Sequence, residues 1–126
     1  MRGFIISFGA LFISFYANAD SNNYSSAFHE CMSKSEGVTV EMRDCYEDEV
    51  SKQDARLNSN YKKYISDLPL KVKKEFVDAQ RQWIKFRDAN CGAFISEQAG
   101  GTLALLVGDS CYLKMTANRA DDFTKN

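Results

Sequence analysis

The chain has 126 residues, with 16 basic and 17 acidic side chains and a net charge of −1. That balance excludes the broad positive field that holds nucleic acid and offers little to an anionic membrane. A length of this order accommodates one small domain, and four cysteines are present to brace it.

The first 19 residues read as a leader and not as part of a fold. Arg2 supplies a positive start, GFIISFGALFISFY is an apolar run, and Ala17-Asn18-Ala19 is a small-x-small cleavage pattern. The run is short for a bilayer span, which needs about 20 residues. No cysteine follows it closely enough for a lipoprotein signal, because Cys31 lies well beyond Ala19. The expected product is a single domain over 20–126, periplasmic or secreted, with no stable membrane anchor after cleavage.

In the exported part, helical spacing dominates and strand signals are nearly absent. A first short helix is expected through SSAFHECMSKS, ending at Gly37, a residue suited to a left-handed terminator. Thr39 can cap a second helix from about Val40 to Ser66, with Glu41 in its first turn. Met42, Tyr46, Val50, Leu57, Tyr61, Tyr64 and Leu68 recur at three or four residues and form one apolar stripe. Asp54 falls inside that stripe and Asn58 lies one turn further along. A carboxylate on a buried face needs a partner.

Pro69 ends the second helix, and a third is expected from about Leu70 to Gly92. Its polar strip, Gln80, Arg81, Trp83 and Arg87, would supply that partner. Arg87 is the first choice to pair with Asp54, and Arg81 the second, because a guanidinium fork can satisfy both carboxylate oxygens. The strip is read as a packing device and not as a catalytic one. A glycine-containing connection, GAFISEQAGGT, leads to a last helix that starts near Thr102 or Asp109 and ends around Phe123. The fold class expected is an all-α bundle of about four helices.

Four cysteines allow three pairings. The sequential one, Cys31 with Cys45 and Cys91 with Cys111, would tie the first helix to the second and the third to the fourth. Metal binding is disfavoured, since there is no CxxC spacing and His29 is the only histidine. No cofactor motif occurs. Charge is uneven: residues 20–60 carry nine acidic and four basic side chains, and residues 61–90 carry eight basic and four acidic. Antiparallel packing of the second and third helices is expected to set these blocks in mutual attraction.

Nothing here makes an enzyme. There is no nucleophile elbow, no phosphate-cradling loop, and no histidine set beside a serine or free thiol. Glu47, Asp48 and Glu49 are consecutive and are read as a solvated helix face pointing in different directions.

Taken together, Cys31, EMRDC (41–45), DARLNSNY (54–61), AQRQWIKFRDANC (79–91), GGT (100–102) and the closing C-x4-T-x2-R (Cys111, Thr116, Arg119) resemble the LprI-type lysozyme-inhibitor family. The resemblance covers essentially all of 20–126. It implies a helical, disulfide-linked exported domain, a lysozyme as partner, and no catalytic residues. Asp54, Leu57, Asn58, Tyr61, Gln80, Arg81, Trp83 and Arg87 match the family signature and would specify the fold. The chain lacks the lipobox cysteine of the family's lipid-anchored branch. For a cationic lysozyme, Glu41, Asp44 and Asp48 offer an attracting face, and Ser96 to Gly108, with Gly100 and Gly101, would form a plug. The alternative is a cell-envelope structural or adaptor protein that inhibits nothing.

Overall fold

The computed structural model describes residues 24–124, so the leader expected at 1–19 lies outside the described residues. Four helices follow in order: α1 (Ser26–Lys34), α2 (Thr39–Ile65), α3 (Leu70–Glu97) and α4 (Thr102–Asp122). There is no strand among the described residues. The fold is all-α, as the helical spacing predicts.

Most boundaries have a local cause, and the end of α3 has a tertiary one. Ser25 caps α1 by accepting a hydrogen bond from the Phe28 amide at 3.2 Å. The α1–α2 turn takes Glu36 and Gly37 into the left-handed region, with Gly37 at φ +81°. Thr39 does not cap α2; it is the first helical residue, and Val38 holds the cap position without a side-chain hydrogen bond. Pro69 opens α3 from an extended conformation. That helix runs five residues past Gly92, because Cys91 is bonded to Cys111 and Ile95 packs on Gly108. These tertiary ties outweigh the weak helix propensity of a single glycine.

Helix α4 is the common partner. It packs against both α2 and α3, while α1 packs on α2. The contacts fix the directions. Arg43 meets Asp109, Arg56 meets Asp121 and Asn60 reaches the Ala120 carbonyl, so α2 and α4 run parallel. Cys91 meets Cys111 and Arg119 donates to Gln80, so α3 runs antiparallel to both. The buried face of α4 is built from small residues, Ala104, Gly108, Ala117 and Ala120, with Leu113 completely enclosed. Small side chains let two long helices approach one axis. A Cβ on Gly108 would meet Ile95 Cδ1 at 2.6 Å.

Two apolar clusters result. Phe28, Cys45 and Leu113 gather Tyr24, Met32, Tyr46 and Val50 at the α1 side. Leu57, Ala120 and Phe123 gather Tyr61, Tyr64, Phe76 and Trp83 at the α2–α3 turn. Phe123 is ringed edge-to-face by Tyr61, Tyr64 and Phe76, at centroid distances of 5.2 to 6.2 Å. The disulfides join Cys31 to Cys45 and Cys91 to Cys111, the sequential pattern. Loops of this size contribute on the order of 3 kcal/mol each in the chain-entropy model.

The buried polar residues are not the ones the stripe implied. Asp54 and Asn58 are exposed, and Arg87 does not pair with Asp54. From Val50 the inward face continues at Gln53, three residues on, and then at Leu57. Asp54, four residues on from Val50, falls to the outer side. Arg81 is exposed as well, and sits 3.6 Å from Asp78. The buried carboxylate is Glu49, only 1% exposed, and not part of a solvated face with Glu47 and Asp48. It accepts hydrogen bonds from the Ser25 amide at 2.9 Å, the Ser25 hydroxyl and Gln53 Nε2 at 2.8 Å, with Lys52 Nζ at 4.0 Å. Glu49 therefore anchors the start of α1 to the middle of α2.

Burial alone would raise the Glu49 pKa, but the donors from Ser25 and Gln53 and the Lys52 charge outweigh it and hold the carboxyl below its ordinary value. The unfolded chain therefore binds this proton more readily. Its stabilising contribution is complete above the ordinary glutamate value, about 4.3, and fades as pH falls through the depressed folded value. Urea unfolding of Glu49→Gln should show a loss of about 1–3 kcal/mol at pH 7, a difference that closes as the wild type is acidified below about pH 4. A difference that stays constant down to about pH 3 would show that the charge is not what holds α1.

Candidate functional site

Hollows flank the stretch of α4 that carries Asp109 and Tyr112, and a further one lies between α1 and the start of α2. One hollow of about 390 Å³ is walled by Val40, Asp44, Glu47 and Val50 of α2. Another of about 410 Å³ is walled by Asp88, Gly92 and Ile95 of α3, with Leu105 and Gly108 of α4. Both share Arg43, Asp109 and Tyr112, which form a ridge between them.

The ridge is polar and ordered. Arg43 Nε donates to Asp109 Oδ2 at 2.7 Å, and this contact raises the guanidinium pKa further. Behind it, Arg87 lies 3.9 Å from the centroid of the Tyr112 ring and 5.1 Å from that of Trp83, and its Nε donates to Asp88 at 3.1 Å. Burial pushes the Tyr112 phenol above its usual pKa; Arg87 opposes the shift and Asp88 adds to it. Trp83 also receives Arg119 at 5.7 Å, which donates to Gln80 at 3.0 Å. So Gln80, Trp83 and Arg87 do form one strip, satisfied from α4 and from α3 itself. Asp54 and Asn58 of α2 are not its partners.

The directions of the helices decide the charge pattern. Antiparallel α2 and α3 pack mainly on α4 and not on one another, and they bring like charge to the same end of the molecule, not the attraction expected from the two blocks. At the end carrying the α1–α2 and α3–α4 turns, residues 36–48 and 88–113 present Glu36, Glu41, Asp44, Glu47, Asp48, Asp88, Glu97 and Asp109 against Arg43 alone. At the other end, residues 62–85 and 114–124 carry nine basic and five acidic side chains. The rod is electrically polar.

Glu41, Asp44 and Asp48 are exposed at the acidic end, and none of them is ion-paired among the described residues. Gly100 and Gly101 stand at the same end, exposed, with φ of +93° and +85°. Their left-handed conformation lets α3 reverse into α4 within four residues. Ser96 to Gly108 is thus no extended plug: Ser96 and Glu97 finish α3, and Thr102 onward is already α4. What protrudes is a blunt helical corner with Phe94, Leu103 and Leu105 exposed on it.

Sequence reasoning missed Asp109 and Tyr112, because neither belongs to a motif. One signal was present, since Asp109 is the sole charged residue between Glu97 and Lys114. Among the described residues no group of three or more metal-capable side chains occurs, and no helix is long and apolar enough to cross a membrane.

A family model described as lysozyme inhibitor LprI matches residues 31–123, from the first cysteine to the aromatic that closes α4. This chain belongs to the LprI family. No curated protein and no solved structure matches it. The matched span includes both disulfides, the ridge and the acidic end. LprI is a family of inhibitors, in keeping with a surface built from packing and charge. Its Trp83–Arg87–Tyr112 stack depends on a planar cation. Arg87→Lys should therefore lower stability by about 1–2 kcal/mol in urea unfolding, whereas a change within about 0.3 kcal/mol would mean that the stack carries little energy.

Proposed function

We propose that the chain is an exported inhibitor of lysozyme-type muramidases and that its acidic end meets the enzyme. The membership in LprI carries the reading, and the segregation of charge supports where on the molecule it acts. Familiar lysozymes are cationic and hydrolyse glycan between two carboxyl groups in a cleft. The carboxylates Glu41, Asp44 and Asp48 steer such an enzyme toward this end and orient the encounter. The corner made by Gly100, Gly101 and Leu103 then supplies apolar contact at the glycan cleft, where burial and not charge sets the lifetime of the complex. Binding needs no chemistry from this chain. The two disulfides suit the oxidising space in which such an enzyme is met.

A second reading, an envelope adaptor without inhibitory activity, draws on Ile84 and Phe86, which are exposed on α3 away from the acidic end. Contacts through those side chains would be insensitive to salt. The exported protein titrated against a cationic lysozyme acting on peptidoglycan separates the two. Inhibition should weaken about tenfold or more between low and high ionic strength. The Glu41→Lys/Asp44→Lys/Asp48→Lys variant should lose at least about tenfold in potency with its fold intact, because all three sites are exposed. No inhibition at about a hundredfold molar excess, across several cationic lysozymes, would refute the inhibitor reading.

A further inference from the structure

We propose that the end of the rod formed by the α2–α3 turn is a docking surface for anionic phospholipid bilayers. The net charge of the chain argues against membrane attraction, but the fold concentrates positive charge where an average cannot show it. From residue 62 to residue 74 there are five lysines against the single Asp67. Lys62, Lys63, Lys71 and Lys74 are exposed, and none of these four is ion-paired among the described residues.

Helix stability does not account for this placement. Lys62 and Lys63 close α2, where a positive charge complements the helix dipole. Lys71 and Lys74 stand at the start of α3, where the dipole is already positive and the first turn holds no acidic residue; Glu75 and Asp78, one turn further on, form no ion pair with them among the described residues. Lys73 is different, since its Nζ donates to the Ser66 carbonyl at 2.6 Å and ties the turn together. Lys71 and Lys74 have no such task. Like charges held together at a helix start cost stability, and a cost kept without a structural return points to a use.

Shape and apolar content select the occupant. The turn spans only four residues between two long helices, so it forms an end of the molecule that can meet a flat surface. Leu70 stands at its apex with 70% of its surface exposed, next to exposed Pro69. An apolar side chain inside a collar of lysines can enter the headgroup region while the ammonium groups remain among the phosphates. The opposite end, where Arg43 alone offsets eight acidic side chains over residues 36–48 and 88–113, is repelled by the same surface. A rod of this polarity therefore stands on an anionic bilayer with its acidic end outward. The inference holds whether or not the protein inhibits a lysozyme.

Sedimentation with lipid vesicles tests it, using the oxidised protein with its naturally processed N-terminus. At an ionic strength of about 0.1 M, vesicles with about one-third phosphatidylglycerol in phosphatidylcholine should bind it and pure phosphatidylcholine should not. The Lys62→Gln/Lys71→Gln/Lys74→Gln variant should bind about a hundredfold more weakly. The Lys34→Gln/Arg43→Gln/Lys52→Gln variant, with the same change in net charge on α1 and the first half of α2, should lose less than about threefold. Leu70→Ser, which leaves every charge in place, should lose about tenfold. Far-ultraviolet circular dichroism checks that each variant is folded. Equal losses from the two triple variants, or wild-type binding that ignores phosphatidylglycerol, would overturn the proposal. Binding to soluble polyphosphate with no binding to vesicles would also overturn it, assigning the patch to a phosphate polymer.

Discussion

The structure depends on one helix with a narrow waist. Small residues along α4 let α2 close on one side and α3 on the other, so α4 becomes the axis that both long helices share. Without it, α2 and α3 would be joined only by their turn and by the aromatic cluster around Phe123. The disulfides reinforce the same plan from the ends. One pins α1 to α2 and the other pins α3 to α4, each at the end away from that cluster. Aromatic packing around Phe123 holds one end of the rod, and the disulfides together with the Phe28 cluster hold the other.

Charge segregation follows from the topology more than from composition. Parallel α2 and α4, with α3 reversed between them in sequence, bring the acidic start of α2 beside the acidic close of α3. The lysines that finish α2 and open α3 meet at the other end. Local self-repulsion is the cost at both ends, and the Arg43–Asp109 pair relieves little of it. A protein that works by recognition can use such poles, because each selects a surface of opposite sign and rejects the other.

Much of this was legible beforehand. Periodicity located α1 and α2 to within a residue at each end, because Gly37 and Pro69 are strong punctuation. The cysteine pairing followed from which turns the cysteines flank. Register was not legible. Val50 can be followed by position 53 or 54 on a helical stripe, and the charge at Asp54 drew attention to the outer of the two. Glu49 was hidden for the complementary reason: within a run of acids, its burial depends on Ser25, which reaches it only once α1 has folded back. The length of α3 beyond Gly92 was also invisible, since the Gly108–Ile95 contact joins segments whose helical phases are set independently. At the candidate site, the exposure of Glu41, Asp44 and Asp48 was readable from helix position, whereas Asp109 and Tyr112 acquire meaning only beside Arg43 and Arg87.

Helix α4 is the element around which the others are organised. Native-state hydrogen exchange in the oxidised protein addresses it residue by residue. The amides from Leu113 to Ala120 should be the slowest in the molecule and should exchange only through global unfolding, while the acidic corner and the α2–α3 turn open locally. If α2 or α3 retains protection while those α4 amides exchange through a smaller opening, α4 is peripheral and the account is wrong.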